Sequence, residues 1–135
     1  MLYMCIFCQI ANHEIPAHIL YEDELVMAFL DLSQATKGHT LLIPKQHYQN
    51  FLECDTAILK HMSEVAKQLG NEIVTKFQAK GLNVLSNVNE VAGQTIMHFH
   101  MHLLPRYQED DLTITFKENP NANKDLTEAF ELFSK

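Results

Sequence analysis

Residues 94–106 read Gln94-Thr95-Ile96-Met97-His98-Phe99-His100-Met101-His102-Leu103-Leu104-Pro105-Arg106, and they decide how the rest of this 135-residue chain is read. His98, His100 and His102 alternate with Phe99, Met101 and Leu103. Side chains on a strand change faces with period two. The alternation therefore predicts a strand over Ile96–Pro105, with three imidazoles on one face and three apolar groups turned to the core. Three neighbouring imidazoles cannot all carry protons cheaply, so they should titrate as a unit. Two chemistries fit such a face: a metal site built from two or three of the histidines, or a nucleophilic or acid/base histidine held by its neighbours. The strand alone does not choose between them. Just upstream, Asn87 ends another apolar run, and Gly93-Gln94-Thr95 leads into the histidines. Amide and hydroxyl groups at that entrance could contact a phosphate or a leaving-group oxygen, and Gly93 allows close backbone approach.

Outward from this segment the pattern is α+β. Ala17–Glu22 and Leu25–Leu30 read as a hairpin turning at Glu22-Asp23, and His39–Pro44 as a third strand after a polar loop, Asp31–Gly38. Asp55 suits an N-cap, after which Ile58, Met62, Val65, Leu69, Ile73 and Phe77 mark one helix face. This helix should run to about Ala79, with Gly81 at its C-cap and a weak point at Gly70-Asn71. Gly81–Val88 reads as a fourth strand, Asn89–Gly93 as a loop, Leu112–Phe116 as a short extra strand and Asn119–Asn123 as coil. One or two helical turns are expected at Ile6–Asn12, closed by Pro16, and a terminal helix at Asp125–Phe133. The expected fold is a five-stranded, mostly antiparallel sheet with one long helix and short N- and C-terminal helices. Residues 1–135 read as one domain, with a core at about 3–107 and a C-terminal strand, coil and short helix over 108–135.

Composition narrows the function. Seventeen acidic and ten basic side chains give a formal charge of -7, which argues against a clamp for a polynucleotide backbone. A single nucleotide remains possible as a ligand. Eight histidines are many for this length, and suit pH sensing, metal binding or acid/base and nucleophilic chemistry. No apolar run approaches the ~18 residues that span a bilayer, and the apolar start lacks the basic region and cleavage site of a signal peptide. A cytoplasmic protein without membrane attachment is expected. In that compartment the Cys5-x-x-Cys8 pair suits metal or redox work more than a disulfide, while Cys54 stands alone with no role.

The segment His98-Phe99-His100-Met101-His102-Leu103-Leu104 resembles the signature of the histidine triad (HIT) family. The likeness extends through Cys5-Ile6-Phe7-Cys8, Glu14-Ile15-Pro16, Tyr21-Glu22-Asp23, Ala28-Phe29-Leu30-Asp31, Gly38-His39-Thr40-Leu41-Leu42-Ile43-Pro44-Lys45, His47, Asn87 and Ala92-Gly93-Gln94. It is similar to the bacterial Hint/Hit-type branch. The resemblance implies a HIT-like fold and a hydrolase or nucleotidyl transferase that attacks the α-phosphorus of purine nucleotide conjugates. His100 would be the nucleophile, forming a nucleotidyl-histidine, and water would release the nucleoside monophosphate. His102, Gln94 and Thr95 would serve the phosphate and leaving group, with His39 in support. Asp31 would hold the ribose, Asn87 would lie beside the nucleotide, and Ile6, Phe7, Ile15, Phe29 and Leu32 would form the base pocket. Cys5, Cys8, His47 and His98 would bind one structural zinc, with no organic cofactor, and a homodimer is implied. Thr95 replaces a serine common in relatives, and Gln34 a proline, which suggests a less rigid loop. A nucleotide-binding regulatory or scaffold protein, and a hydrolase using all three histidines as metal ligands, are the competing readings.

Overall fold

The computed structural model describes residues 5–108 and 111–135, so residues 3 and 4 of the expected core lie outside the described residues. Five strands, β1 (Ile19–Glu22), β2 (Val26–Leu30), β3 (Thr40–Pro44), β4 (Gly81–Leu85) and β5 (Met101–Arg106), form an antiparallel sheet in the order β1-β2-β3-β5-β4. Helix α1 (Ile6–Ala11) covers one face and α2 (Thr56–Lys76) the other. Val26, Ala28, Leu42, Met101 and Leu103 pack with Met62, Val65, Leu69 and Ile73 of α2. Met27, Phe29, Leu41 and Ile43 pack with Phe7, Ile10 and Ala11 of α1. Because both faces are covered, β2 and, after Thr40, β3 are apolar without a break, the mark of a strand buried on two sides.

Helix α2 starts where the cap residue predicts: the Asp55 carboxylate accepts the Ala57 N–H. It ends earlier than Ala79. Gln78 takes a left-handed conformation (φ 58°), Ala79 N–H donates to Val74 O at 2.9 Å, and Gln78 N–H to Thr75 O at 3.3 Å. This is the paired closure of a helix end that glycine usually provides. Gly81 is not the C-cap; it opens β4 opposite Arg106. Gly70 leaves the helix unbroken, and a Cβ there would lie 2.9 Å from Leu82 Cδ2, so its bareness lets α2 approach β4.

Four other expectations are corrected. Strand β5 begins at Met101 rather than Ile96, so only His102 of the three histidines is on it. The register Leu42↔Met101, carried two residues on, would set Phe99 against Pro44, which has no N–H to donate. Phe99 N–H instead donates to Tyr48 O at 2.7 Å. Strand β4 stops at Leu85, short of Val88. No strand forms over Leu112–Phe116, because Arg106 holds the start of that segment through its own side chain: Nε to Asp111 and Nη2 to the Leu112 carbonyl, both at 2.5 Å. Asn119–Asn123 is not coil but enters a short helix, α3 (Pro120–Lys124), with Pro120 at its first position. The terminal helix forms as expected, as α4 (Leu126–Ser134).

Candidate functional site

A cavity of about 240 Å³ opens between α1 and the sheet. Its apolar wall includes Ile6, Phe7, Ile15, Phe29, Leu32 and Ile96, and its polar groups are Asp31, Thr95, His100 and His102. Strand β2 delivers Phe29 and, one residue past its end, Asp31, while β5 delivers His102. The expected alternation holds even where the strand does not. Phe99, Met101 and Leu103 go to the α2 side, while the His98 and His100 rings meet Phe7 of α1 edge-on at 5.9 and 5.1 Å.

Hydrogen bonds fix which ring nitrogen of each histidine carries the proton. His100 Nδ1–H donates to the His98 carbonyl at 2.7 Å, leaving Nε2 with its lone pair. Ala35 N–H donates to His39 Nδ1 at 3.2 Å, so His39 carries its proton on Nε2 and donates to His102 Nδ1 at 2.9 Å. His102 then keeps a hydrogen on Nε2, as a donor. Asp31 Oδ2 lies 3.6 Å from His39 Nε2. Burial pushes all three imidazoles below their ordinary range, His102 to about 4 with help from His100 and His39. They are neutral at pH 7, the state in which a ring nitrogen can attack or accept.

His98 is wired the other way. Its Nε2–H donates to Pro44 O at 2.9 Å, which leaves Nδ1 for a second cluster. That nitrogen lies 3.3 Å from Cys5 Sγ, 3.5 Å from Cys8 Sγ and 3.2 Å from His47 Nδ1, and Cys8 Sγ lies 3.4 Å from His47 Nδ1. A tetrahedral zinc would hold two nitrogens roughly 3.3 Å apart and a nitrogen and sulfur roughly 3.6 Å apart. The four side chains are therefore spaced as a Cys₂His₂ set able to hold a metal ion. Burial and the neighbouring Cys5 push the Cys8 thiol up to about 12, so its thiolate is costly there without a cation. Burial, with His47 and His100, takes His98 down to about 4.

Besides His39, which reaches the cavity through His102, two expected site residues stand apart from its lining. Gln94 is fully buried and its amide is consumed within the protein: Oε1 accepts from Asn89 N–H at 2.8 Å, and Nε2 donates to Gln49 O and Ile96 O at 2.8 and 3.0 Å. It holds the loop before the histidines rather than facing a ligand. Asn87 donates to Gly93 O at 3.4 Å. Gly93 itself is left-handed (φ 98°), closing a short turn over Glu90–Ala92. Two residues given no place in the site by the sequence reading take part, Ser86, which it does not name, and Gln34, which it takes only as the mark of a looser loop. Ser86 donates to the His100 carbonyl at 2.6 Å, and Gln34 ties the loop between Asp31 and His39. Both act on backbone carbonyls, for which sequence carries no motif.

The HIT domain family matches residues 12–109. A HIT family protein from Bacillus subtilis of known structure is 40% identical, with 97% of this chain and 95% of that one covered at a TM-score of 0.88. A Zn-bound histidine triad family protein from Mycobacterium smegmatis is 30% identical over 99% of both chains, at a TM-score of 0.79. The adenylylsulfatase HINT3 of Arabidopsis thaliana is 34% identical over 130 residues, 96% of this chain and 66% of that one.

Proposed function

The chain belongs to the HIT family, and on that premise we propose that it hydrolyses purine nucleotide conjugates of the phosphoramidate or acyl-adenylate type through a covalent nucleotidyl-histidine. One observation carries the reading. His100 lines the cavity with Nδ1–H committed to the His98 carbonyl, so the lone pair on Nε2 is the one available to a substrate. In the first step Nε2 attacks the α-phosphorus, a P–N bond forms, and the bond to the leaving group breaks with its electron pair. His102 donates its Nε2–H to a phosphoryl oxygen. In the second step water attacks the same phosphorus, His100 leaves as neutral imidazole, and the nucleoside monophosphate is released. Asp31 accepts hydrogen bonds from the ribose hydroxyls, the apolar wall takes the base, and Thr95 lies beside the departing group. Gln94 and Asn87 position the approach loop.

No Lys or Arg among the described residues lines the cavity. Substrates with a single anionic phosphoryl group suit it better than polyphosphates, whose charges would find no cation there. The Cys5, Cys8, His47 and His98 set is proposed to hold one zinc, which would tie α1 to the ends of β3 and β5. With His98 turned to the thiols and His102 accepting from His39, the three triad histidines do not converge on one metal, which disfavours the metal-dependent hydrolase. A homodimer is supported by the open edge of β4 and the apolar groove between it and α2. No helix among the described residues is long and apolar enough to cross a membrane; a cytoplasmic location, with no polynucleotide partner, completes the proposal.

The test is hydrolysis of adenosine 5′-phosphoramidate by the wild type and His100→Asn, with adenosine monophosphate binding measured on both. Turnover lost with binding kept supports the mechanism. Equal turnover would sink the nucleophile, and a wild type that binds without turning over would favour the regulatory reading.

A further inference from the structure

The loop from Asp31 to His39 has glutamine where relatives often have proline, and sequence suggested that it would be loose. It is tied instead. Gln34 Nε2 donates to two backbone carbonyls, Asp31 O at 2.5 Å and His39 O at 2.8 Å, and Oε1 accepts Gly38 N–H at 2.7 Å. Asp31 N–H also donates to His39 O at 3.0 Å. One side-chain amide thus spans both ends of the loop. The far end is fixed to the body of the protein: Gly38 has φ 94°, and a Cβ there would lie 2.5 Å from the Phe77 ring.

These ends carry two groups of the site. Asp31 Oδ1 accepts Ser33 N–H at 2.8 Å, so the carboxylate is oriented by the same loop. His39 passes that geometry to His102. A proline at position 34 would fix one backbone angle, but it could not join the two ends. The glutamine fixes their separation directly, and with it the distance between the ribose acceptor and the phosphate donor.

We propose that Gln34 is a positioning residue for ribose recognition, its amide holding the Asp31 carboxylate in register with His102 so that a ribonucleotide spans both. The role rests on the nucleotide reading above and deepens it. Gln34 touches no substrate. Its effect runs through Asp31, so it should appear only when the sugar has hydroxyls for Asp31 to accept.

The experiment compares adenosine 5′-phosphoramidate with its 2′,3′-dideoxy analogue in the full-length wild type, Gln34→Ala and Gln34→Glu. Binding of the two monophosphates is measured by calorimetry as a second readout. Gln34→Glu keeps the size but sets a carboxylate against two carbonyls, so a space-filling role would spare it. In both variants KM for the ribonucleotide should rise about tenfold, with kcat little changed and the dideoxy substrate within about twofold of wild type. Equal losses on both substrates, or intact selectivity in Gln34→Glu, would overturn the role while leaving the hydrolase standing. A wild type inactive on both substrates would overturn the nucleotide reading, and this role with it.

Discussion

His98 and His100 are two residues apart, both buried beside Phe7, yet they belong to different chemical regions. The carbonyl each ring meets makes the difference. His98 spends Nε2–H on Pro44 O and turns Nδ1 to two thiols and His47. His100 spends Nδ1–H on His98 O and keeps Nε2 for the cavity. Identical side chains in one short segment thus suit two different proposed roles, ligand and nucleophile, because backbone acceptors choose the tautomer. The two regions also share an atom path, since the His98 residue that closes the thiol cluster supplies the carbonyl that orients His100.

The strongest way to break this contrast is to replace His100. His100→Asn should lower kcat for adenosine 5′-phosphoramidate by about a thousandfold or more, with zinc content unchanged by elemental analysis. Loss of metal along with activity would show that the two regions are not separable in this way.

The reciprocal change acts on stability first. His98→Ala removes a buried side chain and one of four proposed ligands, and should cost about 3–5 kcal/mol of unfolding free energy. Chelation of the wild type should lower its Tm toward that of Cys5→Ala. Unchanged Tm in chelator, with no metal in carefully purified protein, would remove the zinc from the account. His100→Asn should leave the chelator-sensitive part of Tm in place, which sharpens the division of labour.

How far sequence reaches is visible in the same segment. The period-two alternation of residues 98–103 assigns sides correctly, because it depends only on an extended backbone. It misplaces the start of β5, because strand length depends on the partner, and Pro44 on β3 offers no N–H. β2 and β3 were legible as apolar runs bounded by turn residues. The end of α2 was not, since Gln78 occupies a left-handed conformation that composition would give to Gly81. In the site, Asp31, His100, His102 and the apolar wall were legible as side chains with obvious chemistry or through family motifs. Gln34, Ser86 and the true setting of Gln94 were not, because their partners are carbonyls and amides that any residue supplies.

A smaller effect separates ligand contact from wiring around the cavity. Asp31 is the one carboxylate among the described residues that lines the cavity. Asp31→Asn removes its charge while keeping its shape, and should weaken ribonucleotide binding roughly ten- to a hundredfold, as for a hydrogen bond to a charged group. Its binding of 2′,3′-dideoxyadenosine monophosphate should be nearly unchanged, and stability should fall little. Equal weakening for both ligands would place Asp31 in loop structure rather than in ribose recognition.

A third histidine, His61 on α2, completes the comparison because its partner is a carboxylate rather than a carbonyl. His61 Nε2 lies 2.6 Å from Asp23 Oδ2, which also accepts from Tyr21 OH at 2.7 Å, while Oδ1 accepts from Leu25 and Val26 N–H at 2.8 and 2.9 Å. Burial raises the Asp23 carboxyl, but these four donors together outweigh it and hold the group well below the usual carboxylate range. A carboxyl depressed in the folded state contributes stability that is present above its unfolded pKa of about 3.9 and is lost as pH falls through the lower folded value. Asp23→Asn should therefore cost about 1–2 kcal/mol at pH 7, and its disadvantage should shrink below about pH 4, where the carboxyl of the unfolded wild type takes up a proton and the folded one does not. Denaturant unfolding at pH 7 and pH 3 measures both. A gap of the same size at both values would mean that Asp23 serves the β1–β2 turn through shape alone, and that its charge, unlike the neutral tautomers of His98 and His100, does no work in this fold.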